Sequence, residues 1–530
     1  MRNWFRTVRN QRKKKHNIPS QPKDITLEIT DERIETELAH SKQVLQEIFR
    51  DCSDVVFREI MVNETTKGLL VFIDGIVNTD QIHENLMRPL LIHFSETFNE
   101  SQPADLKERQ ISLAQVTSAK QYAQLVEGIL TGSVALLVNG YDKALLFNVV
   151  GGTRRGVEEP ATEATIRGPR EGFTESLRTN TALLRYRLKS PRLKTIAYKI
   201  GEHTQTNVAL AYIDGLADPR VIAEVRNRLE RIKIDGILES SYIEELIEDD
   251  PFSIFPQVQN TERPDTVAAH LLEGRFAIFI DNTPFVLVGP VTAWLMLQAS
   301  EDYYQDIYAG SFIRLLRLFF LGIALFMPAL YVAVTTFHQD MIPTTLLLSI
   351  AAARESIPFP AIVEALIMEI SFEALREAGV RLPKTVGQAV SILGALVIGQ
   401  AAVQAGIVSA PMVIIVSVTG IASFTVPRYS FGIAIRLLRF PLMLLGATFG
   451  LYGIVIGTMC IVLHLAKLRS FGVPYLSGIA PFSWKAQKDL LIRSPWWRMI
   501  TRPPLLYDRE RKRMSTDLKP SPVKQEGETE

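Results

Sequence analysis

The pattern of apolar and polar positions changes character once along the chain. From about 54 to 289, short β-rich runs trade places with amphipathic helical patterns, as in a mixed α/β protein. Later come three long stretches without a charge: 318–337, 385–427 and 440–466. A helix needs about 20 apolar residues to cross an apolar layer about 30 Å thick. The first stretch therefore predicts one crossing, with Pro328 as its kink. The second predicts two, 386–407 and 411–427, joined by a hairpin at Ser409-Ala410-Pro411, where proline removes a helix donor. The third predicts a fourth crossing, long enough to tilt. Buried helices of a soluble protein are the alternative, yet these rarely stay uncharged for so long. The segment 341–377 is expected to be re-entrant or interfacial. Its first part is too short to span, and its second carries Glu364, Glu369, Glu373 and Arg376 on a helix facing either the membrane surface or a wet cavity.

Flanking charge sets the expected orientation. Arg314 and Arg317 precede the first crossing, beside a belt of Tyr303, Tyr304 and Tyr308. Lys467, Arg469, Lys485, Lys488 and Arg493 follow the last, with Trp484, Trp496 and Trp497. Both ends of the helical domain are thus expected on the cytoplasmic side. Arg376, Arg381, Lys384, Arg428, Arg436 and Arg439 then fall on the other side, against the rule. Residues 1–40 open with a basic run and have no apolar stretch before Ile25, which argues against a cleaved signal. They read as a disordered solvated tail, with contact to anionic headgroups as the alternative. Lys+Arg of 58 against Asp+Glu of 57 gives no bulk attraction to nucleic acid. Cys52 and Cys460, the only cysteines, make no disulfide framework.

The soluble half repeats itself. Ile73-Asp74-Gly75 after one apolar run matches Ile213-Asp214-Gly215 after another, and Leu125-Val126-Glu127-Gly128 matches Leu271-Leu272-Glu273-Gly274, each leading into a strand pair. Asn139-Gly140 and Asp281-Asn282 suit the tight hairpins between those strands. The fold class expected is a soluble α+β region of two related α/β subdomains, 41–150 and 195–310, followed by an α-helical multi-pass membrane domain, 311–470, and a cytoplasmic tail, 471–530. Between the subdomains, 151–194 is a charged linker. Its Arg167, Arg170, Glu171, Glu175 and Arg178 suit a bridge between subdomains or subunits, a solvated loop being the plainer reading.

On a helix over 386–407, Gln388, Ser391, Ala395, Gly399, Ala402 and Gly406 form a small-residue stripe suited to close helix packing. Gln400 and Gln404 point away from it, towards a pore or towards neighbouring helices. Gly446, Gly450, Gly453 and Gly457 form a second packing seam. Glu364 and Glu369 would make an acidic vestibule if copies surround an axis, while Glu373 and Arg376 pair on one face. There is no phosphate loop, metal-spaced His or Cys cluster, or serine elbow. No catalysis and no cofactor are implied.

The run RESIPFPAIVEALIMEISFEALREAGVRLPKTVGQAVSILGALVIGQAAVQAGIVSAP resembles the most characteristic block of the GerA family A subunits. EGFTESLRTNTALLRYRLKSP and GPVTAWLMLQASEDYY are similar to two further hallmarks, so the resemblance spans about 41–504. It implies a germinant-receptor subunit of the spore inner membrane, working with a transporter-like B subunit that binds nutrient and a lipoprotein C subunit. It also implies a homo-oligomeric ring, a pentamer, whose helices enclose an ion path that opens to start germination. The SpoVAF-type sister branch, an amplifying channel without nutrient specificity, and a secondary transporter are the competing readings. The basic N-terminal extension departs from the family pattern.

Overall fold

The computed structural model describes residues 32–62, 66–88, 116–151, 158–383, 399–482, 489–502, 512–516 and 518–520. The chain divides into two units, one of 1–156 with 178–196, the other of 157–177 with 197–530.

In the first unit, helix α1 (Leu38–Ile48) leads to strands β1 (Val55–Met61) and β2 (Lys67–Ile73). Then follow β3 (Val116–Ala119), helix α2 (Tyr122–Leu130), β4 (Ser133–Val138) and β5 (Ala144–Asn148). The strands pair in the order β1-β2-β4-β5-β3. Central β2 and β4 are buried on both faces, which is why they read as unbroken apolar runs and not as alternating ones. Order begins earlier than residue 41: Ile34 is buried, and its amide donates to the Lys120 carbonyl at 3.0 Å. The segment expected as a linker is not all loop either. Helix α3 (Leu177–Arg187) buries its 180–185 turn, and Arg185 donates to Asp54 through Nε and Nη2 at 2.6 and 3.0 Å.

The second unit repeats the plan. Strands β6 (Leu193–Ile200) and β7 (Thr206–Ile213) precede helices α4 (Pro219–Arg231) and α5 (Ser240–Ile247). Then come β8 (Gln259–Thr261), helix α6 (Pro264–Leu272), β9 (Phe276–Ile280) and β10 (Val286–Gly289). Their order, β6-β7-β9-β10-β8, is that of the first sheet strand for strand. One of the two sequence anchors holds this register: Gly75 and Gly215 close β2 and β7 with φ of 84° and 79°. The other is four residues out. Gly128 lies inside α2, and the left-handed residue before β4 is Gly132 (φ 99°), the counterpart of Gly274 (φ 86°).

The helices α7 (Ile307–Phe337), α8 (Thr344–Arg354), α9 (Ala361–Arg381), α10 (Ala410–Ser423) and α11 (Tyr429–Lys467) follow. Only α7 and α11, of 31 and 39 residues, are long and apolar enough to cross a membrane among the described residues. At 14 residues α10 is about 21 Å long, short of a full crossing.

The fourth predicted crossing is not one straight helix. Gly450 has φ 62° and ψ −144°, a combination open essentially to glycine. There the chain doubles back. A Cβ on Gly457 would meet Leu442 Cδ2 at 2.5 Å, and one on Gly453 the Leu445 carbonyl oxygen at 2.1 Å. In an unbroken helix residues 442 and 457 would stand about 22 Å apart. Thus α11 is a helical hairpin with limbs 429–449 and 451–467. Its four glycines do not share one face: Gly446 lies against Ala329 of α7, Gly453 and Gly457 face the opposite limb, and Gly450 is the turn.

Within the segment 471–530, residues 471–482 and 489–502 pack against the second unit's other elements. Tyr475 is fully buried and donates to the Pro256 carbonyl, and Arg493 donates to the Gln305 carbonyl.

Candidate functional site

Helix α9 turns two of its carboxylates, Glu364 and Glu369, inward. Glu364 and Glu369 are fully buried, whereas Ile370 and Val380 are exposed. This inversion of the soluble pattern suits apolar surroundings. Each carboxylate has a basic partner. Glu364 Oε1 accepts from Arg354 Nε at 3.1 Å, and its Oε2 from the Ser409 amide at 2.9 Å. Ser409 is the N-cap of α10, so Glu364 sits at the positive end of that helix. Glu369 accepts from Arg439 Nη1, whose Nε also donates to the Ala324 carbonyl at 2.8 Å. Glu373 accepts from Arg436 at 2.6 Å, and Arg376 stands 3.7 Å from its other oxygen. Arg376 in turn donates to Ser423 at 2.6 Å and lies 4.5 Å over the Phe424 ring.

These contacts form a ladder of Glu–Arg pairs linking α9 to α8, α10 and the first limb of α11. The ladder is not saturated: Glu369 Oε1, Glu373 Oε1 and Arg439 Nη2 are buried without a hydrogen-bond partner. A half-satisfied polar network in an apolar bundle stabilises little by itself, because desolvation offsets most of the Coulomb gain. The sequence singled out the glutamates, but not that Arg354, Arg436 and Arg439 would meet them; helix-wheel reasoning sees one helix at a time.

The other expected site residues are spread out. Gln400 and Gln404 are exposed, on a stretch helical over 399–404. Gly399 lies against Val413, a Cβ there coming 3.5 Å from Val413 Cγ1, and Gly406 has φ 63°. Ala402 packs partly buried against the bundle core. Gln388, Ser391, Ala395 and Lys384 lie outside the described residues. Arg167, Arg170, Glu171, Glu175 and Arg178 are exposed, and Arg178 pairs with Asp74.

At the other end of the bundle, basic residues are tied to the second subdomain. Asp302 accepts from Arg314 and Arg317, and Asp489 from Arg314 at 3.1 Å, so these arginines are buried partners. Arg428, the N-cap of α11, pairs with Glu163 and so lies at the subdomain end, not beyond the far end as the charge rule implied. Glu163 is held in turn. Arg263, 2% exposed, donates to the Glu163 and Pro169 carbonyls at 3.1 and 2.9 Å, and Glu262 accepts from the Ala161 amide at 2.8 Å. The linker stretch 159–170 is therefore a strap on the second subdomain that reaches the root of the hairpin. Arg263 gave no signal in sequence beyond preceding Pro264, a helix-start position.

Long apolar helices that bury carboxylate–guanidinium pairs among themselves are the signature of a membrane protein with charge kept off its outer surface. Comparison with known proteins agrees. The family model described as Bacillus/Clostridium GerA spore germination protein matches residues 43–505. "Uncharacterized membrane protein YfkQ" of Bacillus subtilis is 58% identical over 89% of this chain and 92% of its own length. "Spore germination protein KA" of the same organism is 48% identical over 90% and 88%. The solved N-terminal domain of the A subunit of the Bacillus megaterium spore germinant receptor GerK3 is 32% identical, covering 49% of this chain and 97% of that one, at a TM-score of 0.37. The chain belongs to the GerA family of spore germination proteins, and it is a membrane protein with a role in germination.

Proposed function

We propose that this chain is the A subunit of a germinant receptor in the spore inner membrane, and that several copies enclose a nutrient-gated ion path whose opening triggers germination. Helix α7, a return pass of the chain between Phe337 and Arg428, and the two limbs of α11 make four crossings of the membrane, with both ends of the helical domain on the cytoplasmic (spore core) side. A ring, a pentamer by family resemblance, surrounds the path. A transporter-like B subunit takes the nutrient, and a lipoprotein C subunit completes the receptor. Gln400 and Gln404, exposed on the single chain, are its pore-facing candidates.

The observation that carries this reading is the unsaturated ladder of Glu364, Glu369 and Glu373 with their arginines. Charges are expensive inside an apolar bundle and belong there when ions pass or when the pairs exchange partners between states. Family membership, with spore germination proteins KA and A1 of Bacillus subtilis among the relatives, supports the germination role. The test is cation release from spores lacking this gene, against a panel of nutrients. Loss of response to one nutrient group supports a nutrient-specific receptor; uniform slowing points to the amplifying sister branch; unchanged release from this strain and no flux through the reconstituted protein would reject the channel.

A further inference from the structure

Between α5 and β8 the second subdomain carries a turn, Asp250-Pro251-Phe252-Ser253-Ile254, that shows apolar side chains to the outside. Phe252 is 94% exposed and Ile254 43%. The turn is nonetheless braced. Gln257, fully buried, accepts from the Asp249 and Asp250 amides at 2.9 and 2.8 Å and donates to the Asp250 carbonyl at 2.6 Å. The Ser253 amide donates to that same carbonyl at 3.1 Å, and the Phe252 amide to Asp250 Oδ1 at 3.3 Å. These backbone hydrogen bonds hold the phenylalanine ring out in the open.

Single apolar residues on a surface are ordinary, so the place of this turn decides its meaning. Ser253 Oγ lies 2.9 Å from His464 Nε2, in the last turn of α11. Phe255 is buried against the same imidazole. The turn is therefore fixed to the end of the hairpin's second limb. Met459, Val462 and Leu463 carry the exposed apolar surface of that limb up to this level, and Lys467 and Arg469, both exposed, follow. Aliphatic side chains, then an aromatic ring, then cations is the order in which a chain leaves a bilayer. The aspartates beside the turn do not oppose it. Asp249 is held by Arg228 Nη1 at 2.6 Å and by the Gly472 amide at 3.2 Å, and Asp250 by the Phe252 amide.

We infer that the 250–254 turn is a membrane anchor of the second subdomain, with Phe252 and Ile254 seated in the boundary between lipid headgroups and acyl chains and with Lys467 and Arg469 against anionic headgroups. Continuity with the outward apolar surface of the neighbouring limb makes lipid, and not a protein, the occupant. The inference rests on the reading that the limbs of α11 cross the membrane. The second subdomain then meets the bilayer directly as well as through the helices that continue its chain, so its height above the lipid is set in two places.

The test uses the full chain in vesicles of equal parts phosphatidylglycerol and phosphatidylethanolamine, with an environment-sensitive fluorophore on one cysteine at a time. Cys52 is buried and stays unlabelled, and Cys460, exposed on the second limb, reports the crossing. In a Cys460→Ala background, Ile254→Cys reports the turn and leaves the Phe252 ring in place. His203→Cys, in the turn between β6 and β7, reports the end of the second sheet opposite Gly289. Quenching by iodide in the water is compared with quenching by nitroxides on the lipid chains. The Ile254→Cys label is expected about 5–10 Å into the boundary, quenched most by shallow nitroxides and shielded from iodide relative to the His203→Cys label. Adding Phe252→Asp is expected to return it towards the water; an unchanged depth overturns the role of Phe252. An Ile254→Cys label that iodide reaches as freely as the His203→Cys label, while Cys460 stays shielded, overturns the anchor and leaves the crossing intact. Shielding from both quenchers shows a protein surface over the turn and overturns the lipid assignment. A Cys460 label open to iodide removes the crossing, and the anchor with it.

Discussion

Arg439 on the first limb of α11 and Glu369 on α9 form an ion pair sealed from solvent, 1% and 0% exposed. Removing one partner strands the other charge, so Arg439→Met is expected to destabilise by about 3–5 kcal/mol. The double variant Arg439→Met with Glu369→Met should recover most of that loss. Thermal unfolding of the purified variants measures both, and a double variant as unstable as the single one would refute the pairing.

Gly450→Ala places a Cβ 2.6 Å from His338 Cε1 on a backbone with φ 62°. A cost of about 1–3 kcal/mol from the backbone alone is expected, read as a lower unfolding midpoint. Gly432→Ala, where the nearest side-chain atom would be 3.9 Å away, serves as the control and should be nearly neutral.

Two carboxyls at the end of α5 predict a pH effect. Burial first, then the neighbouring charges of Glu248 and Glu239, lifts Glu244 to about 7. Burial likewise lifts Glu248 to about 7, despite the Gln257 amide and helped by Glu245, Asp249 and Asp250. A raised carboxyl favours the folded state while protonated, so this contribution is full below about 4.5 and is lost as pH rises to about 7. Glu244→Gln should flatten the dependence of the unfolding midpoint across that window; a slope equal to the parent's would contradict the assignment.

Asp54 behaves in the opposite sense. Burial pushes its carboxyl up, but the charge and hydrogen bonds of Arg185, with Thr195, outweigh this and leave it below its usual 3.8. Its contribution is present above that value and is lost as pH falls through the lowered one. Asp54→Asn should therefore lower stability near neutral pH and narrow the gap to the parent in acid, as titrated unfolding would show.

The duplicated α/β plan was legible because two glycines must sit left-handed at the ends of equivalent strands, and such positions leave a mark in sequence. The Glu-Gly match was a coincidence of composition: Gly128 is a helix residue packed against Leu146, whereas Gly132 does the work of Gly274. The long apolar runs announced α7 and α11, but an uncharged run carries no information about direction. One glycine among four set the reversal at Gly450, and only the neighbouring helix tells it from the other three. Buried pairs such as Glu364 with Arg354 join distant parts of helices, which no local periodicity encodes. The linker left a bridge and a solvated loop both open for the same reason: the partners of the strap on Arg263 lie about a hundred positions away.

The reversal of α11 also has a mechanical meaning. Phe431 near the start of one limb and His464 near the end of the other both lie against Phe255, with ring centroids 5.9 and 6.0 Å from it. The hairpin is therefore a paddle with both stems set in one socket. Tilting that socket swings the whole blade, and the tip at Gly450 travels farthest while the stems cannot slide past each other. A tilt at the socket would therefore be felt beside Phe337, at the far end of α7, which lies against Gly450.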